Sequence, residues 1–143
     1  MEKTVISRSE GETEALGAAL AQELRAGDCV AFFGGLGMGK TAFVRGMARA
    51  LGCEAPVSSP TYALVNVYPG KMPLAHFDMY RVEGWESLLS TGFYDYLEQD
   101  CVLAVEWSEH IAQELPPACW RVEIRPGKND GERRLRITKG GRE

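Results

Sequence analysis

Gly34-Gly35-Leu36-Gly37-Met38-Gly39-Lys40-Thr41 follows the pattern G-x-x-x-x-G-K-[ST], and the residues on either side have the character that pattern needs. Glycines reach backbone conformations closed to residues with side chains, so successive N–H groups of such a loop can turn inward and cradle phosphate oxygens. The ammonium of Lys40 is then in reach of β and γ oxygens. The hydroxyl of Thr41 can ligate magnesium, a hard cation that prefers oxygen donors. Before the loop, Asp28-Cys29-Val30-Ala31-Phe32-Phe33 is a short apolar run of the kind a buried parallel strand shows. After it, Phe43, Val44, Met47, Ala48 and Leu51 recur at helical spacing over 40–51, and Gly52 stands where a left-handed residue ends a helix. Strand, glycine loop and helix together predict a nucleotide-phosphate site. A glycine loop that merely turns a corner is the bland alternative.

Upstream, a short strand over 4–7 leads into Ser9-Glu10-Gly11-Glu12, where Ser9 and Glu12 can form a capping box. The helix that starts there carries Ala15, Leu16, Ala19, Leu20 and Leu24 as its apolar stripe, with Gly27 as a stop. Downstream, Val57-Ser58-Ser59-Pro60-Thr61-Tyr62 is too polar and too punctuated by proline for a buried element and is read as a surface loop. Strands over 63–68 and 74–78 flank Pro69-Gly70-Lys71-Met72-Pro73, which has the chemistry of a hairpin connection. The segment 83–99 carries aromatic and leucine residues at helical intervals broken at Gly92, which predicts two short helices. Cys101-Val102-Leu103-Ala104-Val105 is the most strand-like run. Ser108 then opens a short helix closed by Pro116 and Pro117, and strands over 120–125 and 133–138 form a terminal hairpin. The expected fold is α/β: one P-loop NTPase-like domain over 1–143, with a mixed, mostly parallel central sheet flanked by helices and a C-terminal antiparallel strand pair.

With 143 residues and 45% hydrophobic content, the chain can bury a core without disulfides or structural metal. A formal net charge of −4 argues against a surface devoted to nucleic acid. Arg121, Arg125, Lys128, Arg133, Arg134, Arg136, Lys139 and Arg142 nevertheless gather positive charge at the end of the chain. They read either as solvated outer faces of a strand pair or as a docking face for RNA or an acidic partner. Cys29, Cys53, Cys101 and Cys119 form no C-x-x-C pair and read as small buried hydrophobes. With no secretory leader or membrane-length apolar segment in view, the expected home is the reducing cytoplasm. His76 and His110 stand at no zinc-ligand spacing from a cysteine.

A phosphate loop needs an acidic partner for the metal, and such a group usually arrives at the carboxyl end of an apolar strand. Asp78 and Glu106 both qualify, and periodicity does not rank them. If both reach the site, one can hold magnesium while the other orients the attacking water. The structural alternatives are a helix N-cap or a salt bridge to Arg81 for Asp78, and an N-cap before the Ser108 helix for Glu106. Ser58, Ser59 and Thr61 place hydroxyls on a loop able to sense a γ-phosphate, or simply make a Ser-Pro turn.

Four segments in one order, G-x-L-G-x-G-K-T over 34–41, Ser59-Pro60-Thr61-Tyr62 with Leu64-Val65-Asn66, His76-Phe77-Asp78-Met79-Tyr80-Arg81 and Val105-Glu106-Trp107, resemble the TsaE family of bacterial P-loop ATPases. The likeness runs from the Ser9 helix to Glu114. It implies an ATPase accessory to synthesis of threonylcarbamoyladenosine beside the anticodon of tRNAs reading codons that begin with A. The implied partners are the threonylcarbamoyl transferase and its inactive paralogue, joined as a heterodimer, with tRNA contacted only indirectly or weakly and no membrane involved. Hydrolysis would reset the complex between cycles. Leu36, Gly37, Met38, Gly39, Lys40 and Thr41 then resemble the phosphate-binding residues of ATP, Thr41 and Glu106 the magnesium ligands, and Asp78 the hydrolytic carboxylate. Thr13 resembles a position near the base, and Thr61 belongs to the switch-like loop. The chain departs from the family pattern at Gly35, where Asp is usual, and at Met38, Ala42 and Ser108, where Ala, Thr and Pro are usual.

Two other functions fit a bare phosphate loop. A small-molecule kinase would need an arginine-rich lid over a second substrate, and none is evident. A binding module stabilised by nucleotide would show equal partner affinity in every nucleotide state.

Overall fold

The computed structural model describes residues 2–34, 39–54, 56–57, 65–82 and 84–140, with backbone alone at Gly84, Trp85 and His110. Its elements are β1 (Glu2–Ser7), α1 (Glu10–Ala21), β2 (Cys29–Phe33), α2 (Lys40–Ala50), β3 (Val65–Tyr68), β4 (Leu74–Asp78), α3 (Gly84–Ser90), α4 (Phe93–Leu97) and β5 (Val102–Glu106). A 3₁₀ helix (Ser108–Glu114), β6 (Trp120–Pro126) and β7 (Arg133–Lys139) follow. The apolar run before the glycine loop becomes β2, the middle strand of a seven-stranded sheet ordered β1-β7-β6-β2-β5-β4-β3. Its four central strands, β6, β2, β5 and β4, are parallel. Antiparallel strands extend both sides: β3 beyond β4, and β7 then β1 beyond β6.

Side chains alternate across a strand, and β2 and β5 are apolar at both parities, so both faces of the sheet are covered at its centre, while β6 turns Arg121 and Glu123 to one side and buries Val122 and Ile124 on the other. Val30 and Phe32 of β2, Val102 and Ala104 of β5, and Val122 and Ile124 of β6 pack with Phe43, Val44 and Met47 of α2. Cys29 and Ala31, Leu103 and Val105, and Ala75 and Phe77 of β4 pack the other way, against Leu88, Phe93, Ile111 and Leu115. The three layers thus follow from period two in the strands meeting period 3.6 in the helices. Phe32 and Phe43 meet edge to face, with centroids 5.4 Å apart, a geometry worth about 0.5–1.5 kcal/mol beyond the area it buries.

Helices α1 and α2 lie together on the first face, and glycine sets their spacing. A Cβ on Gly17 would collide with the carbonyl oxygen of Phe43, and one on Gly46 with that of Glu14. The buried residues of α1 are accordingly Thr13, Gly17, Leu20 and Ala21, with Ala15 and Ala19 exposed. Of the apolar stripe expected on α1, Leu20 is buried and Leu16 and Leu24 pack against the core, while small residues take the place of Ala15 and Ala19 at the contact with α2. Glu14 bridges the pair, accepting from Arg45 Nε at 2.8 Å and lying 3.3 Å from Arg49. At the head of α1, Ser9 Oγ accepts from Glu12 N–H, but the Glu12 carboxylate returns to Arg8 N–H, one residue outside the expected capping box.

The hairpin expected before β4 is present. β3 begins at Val65, and residues 63 and 64 of the expected strand lie outside the described residues, as do 58–62 of the expected loop. Gly92, at φ 81°, separates α3 from α4. The terminal arginines divide among several neighbours: Arg125 pairs with Glu123, Arg136 with Glu2, and Arg121 lies 5.7 Å from the centre of the Phe33 ring. All four cysteines are buried free thiols. Among the described residues, no helix is long and apolar enough to cross a membrane.

Candidate functional site

Alternation on three adjacent strands aims the site. Phe32 of β2 faces α1 and α2, which puts Gly34 two residues on at the same parity. In β5 the same face carries Val102, Ala104 and then Glu106; in β4 it carries Leu74, His76 and then Asp78. Parallel register pairs Asp78 with Glu106, so the two carboxylates stand side by side where their strands end, and Met79 N–H donates to Glu106 O at 3.0 Å. Both residues are nearly buried, at 4% and 5% exposure.

Lys40 reaches this point from the first turn of α2, following Gly39, whose φ of 96° suits glycine and strains other residues. The lysine is only 5% exposed. Its Nζ donates to Gly34 O at 3.0 Å and lies 4.3 Å from the centre of the Trp107 ring. Burial lowers the pKa of Lys40, against the opposing pull of Glu106, Glu109 and Asp78. Three carboxylates therefore act on one ammonium. Trp107 holds its ring there with φ 59° and ψ 42°, the one positive φ outside glycine among the described residues. Such a backbone costs about 1–3 kcal/mol and persists where the surroundings dictate it. The Tyr80 ring meets the same indole at a tilt of 56°, with centroids 4.9 Å apart.

Neither structural alternative accounts for the two carboxylates. Asp78 Oδ1 accepts from Tyr80 N–H at 2.9 Å in a local turn, and Trp107, not Glu106, precedes the 3₁₀ helix as its N-cap. Thr41 follows Lys40, half-buried. Thr13 borders the loop: its methyl is what a Cβ on Gly39 would meet, at 3.9 Å, while its hydroxyl lies 2.6 Å from Ser7 Oγ. Leu36, Gly37, Met38 and Thr61 lie outside the described residues.

Two contributors were not singled out from sequence. Glu109 accepts the N–H of Gly34 at 2.9 Å and so anchors the start of the loop from the 3₁₀ helix. His76, fully buried, places Nε2 2.6 Å from Glu106 Oε2. The signal for His76 was its spacing: two residues before Asp78 on a strand, it must share that residue's face. Nothing comparable marked Glu109.

Magnesium suits this donor set. A hydroxyl from Thr41 and carboxylates from Glu106 and Asp78 are hard oxygen donors, too few for an all-protein cage and apt for an ion that keeps phosphate and water ligands.

A parallel β6-β2-β5-β4 core, a helix rising from the glycine loop after its middle strand, and a buried lysine facing carboxylates at neighbouring strand ends define an α/β protein of the P-loop NTPase type. The model of the family described as "Threonylcarbamoyl adenosine biosynthesis protein TsaE" matches residues 7–135, and the chain belongs to the TsaE family. It is 34% identical over 132 residues to the tRNA threonylcarbamoyladenosine biosynthesis protein TsaE of Treponema pallidum (strain Nichols), covering 92% of this chain and 97% of that one. To the Bacillus subtilis (strain 168) protein of the same name it is 35% identical over 131 residues, or 91% and 81% of the two chains. Among solved structures, Bacillus subtilis YdiB superposes with a TM-score of 0.83 at 29% identity, over 99% of this chain and 87% of that one.

Proposed function

We propose that this chain is a magnesium-dependent ATPase of the tRNA N6-threonylcarbamoyladenosine machinery, a single cytoplasmic domain that switches the threonylcarbamoyltransferase complex according to its nucleotide. The observation that carries the reading is Lys40, buried at the end of the glycine loop with Asp78 and Glu106 in register before it. The names of the relatives support the pathway. Loop residues 36–41 cradle the phosphates of ATP, and Lys40 exchanges Gly34 O for a phosphoryl oxygen. Thr41 and Glu106 would hold magnesium, which when bound would supply neutralisation of the phosphate charge. Asp78 orients the attacking water and accepts its proton. Thr13 borders the base, and the hydroxyl of Thr61 senses the γ-phosphate.

The surroundings of the two carboxylates support this division of labour. Glu106 is pinned by His76, the stiffer arrangement and suited to a ligand; Asp78 makes its bond to a turn N–H. Turnover of the isolated chain is slow, because P-loop switches await groups supplied by a partner, here the heterodimer of the transferase and its inactive paralogue. Labelled ATP tests the reaction class: label on the γ-phosphate should leave as inorganic phosphate. Label recovered on an acceptor molecule would make the protein a kinase and overturn the reading.

A further inference from the structure

His76 sits in the middle of a central strand with no exposure, next to Ala75 and Phe77. A buried imidazole is costly unless it is hydrogen-bonded. Its Nε2 lies 2.6 Å from Glu106 Oε2, and in the tautomer that carries its proton on Nε2 this nitrogen donates to that oxygen. Its Nδ1 is buried and finds no partner among the described residues, which suits the bare nitrogen of that same tautomer. The bond to His76 is also the one hydrogen bond of the Glu106 side chain among the described residues. One carboxylate oxygen is therefore fixed from below by the β4 strand, and Oε1 is left for the site.

Resting on the reading of Glu106 as a magnesium ligand, we infer that His76 is a positioning residue for that ligand: its Nε2–H locks Glu106 in the rotamer that presents Oε1 to the metal. The strand geometry makes the device economical. His76 and Asp78 share one face of β4, and Asp78 is the registered neighbour of Glu106, so His76 reaches Glu106 diagonally across the parallel pair. One strand thereby supplies both the hydrolytic carboxylate and the group that orients its neighbour. A carboxylate free to rotate would have to be ordered by the metal itself, at a cost in metal affinity; groups that orient a ligand in this way are typically worth about 10–100-fold.

The test is calorimetric titration of ADP into the full chain, at graded magnesium and in EDTA, for the parent, His76→Leu, His76→Gln and Glu106→Gln. His76→Leu should raise the magnesium concentration for half-maximal enhancement of ADP binding by about 10–100-fold and leave ADP affinity in EDTA unchanged. His76→Gln, which keeps an N–H donor, should recover most of the loss. If His76→Leu unfolds, His76→Asn, too short to reach Glu106, takes its place beside His76→Gln. An unchanged magnesium dependence in the donor-less variant, an equal loss of affinity in EDTA, or a glutamine variant no better than leucine would each overturn the inference. Glu106→Gln separates the two levels. If it loses magnesium dependence while His76→Leu keeps it, only the positioning role fails; if it keeps magnesium dependence, the ligand reading fails and the inference with it.

Discussion

Lys40 is held by a carbonyl, an indole face and nearby carboxylates, and burial still lowers its pKa. The sign of the resulting pH effect is fixed. Because the folded-state pKa lies below the ordinary lysine value, the folded chain binds fewer protons at this site than the unfolded chain between the two values, and stability rises with pH across that window. Replacing Lys40 with Met removes the effect. The stability of Lys40→Met relative to the parent, measured by urea unfolding, should therefore be most favourable below the window and decline as pH rises toward the unfolded lysine value; a pH-independent difference would contradict this. Asp78 and Glu106 should fail differently. Asp78→Asn should lower phosphate release by about 10²–10⁴-fold, the usual worth of a positioned base, with nucleotide affinity kept. Glu106→Ala should lose the magnesium dependence of ATP affinity, measured by titration with and without the metal; equal behaviour to the parent would move the metal to Asp78.

At the scale of elements, much was legible because boundaries carried chemical marks. Pro73 marks the start of β4, and Gly92 divides α3 from α4. The Ser108 helix was expected but is 3₁₀ in form, kinked at Ile111. On α1 the expected Leu16, Leu20 and Leu24 do pack on the core, but Ala15 and Ala19 are exposed, because the close contact with α2 is made by Gly17 and Gly46, which contribute closeness and no apolar side chain for periodicity to weigh. His76 was passed over because a lone histidine in an apolar strand has no partner in its own segment; Glu106 is 30 residues away. Gly46→Ala should thus destabilise out of proportion to its size, by about 1–3 kcal/mol, since the obstacle is the Glu14 backbone, which cannot rotate aside. Chemical denaturation measures it. The same substitution at Gly131, whose Cβ would meet nothing within 4 Å, isolates the backbone cost of a positive φ.

For the whole molecule, the sheet faces are filled by the same alternation that aims the site, so core and chemistry share one register. The thiols belong to that core. Hydrogen bonding with Cys119 and burial push the Cys29 thiol well up, and burial raises Cys53 and Cys101. All four should resist a thiol reagent near neutral pH until the chain unfolds; prompt labelling of the native protein would contradict the packing. The proposed switch requires partner affinity to differ with nucleotide, so binding to the proposed partner, the transferase heterodimer, should change between ATP, ADP and neither. The central claim, that Lys40 with Asp78 and Glu106 forms one ATP-hydrolysing site, is tested most directly by phosphate release from the purified parent and Lys40→Ala, each alone and with the heterodimer. The parent should release phosphate slowly alone and faster with the heterodimer, and Lys40→Ala, folded, should release none in either case. Equal release from parent and variant would place hydrolysis elsewhere and contradict the account.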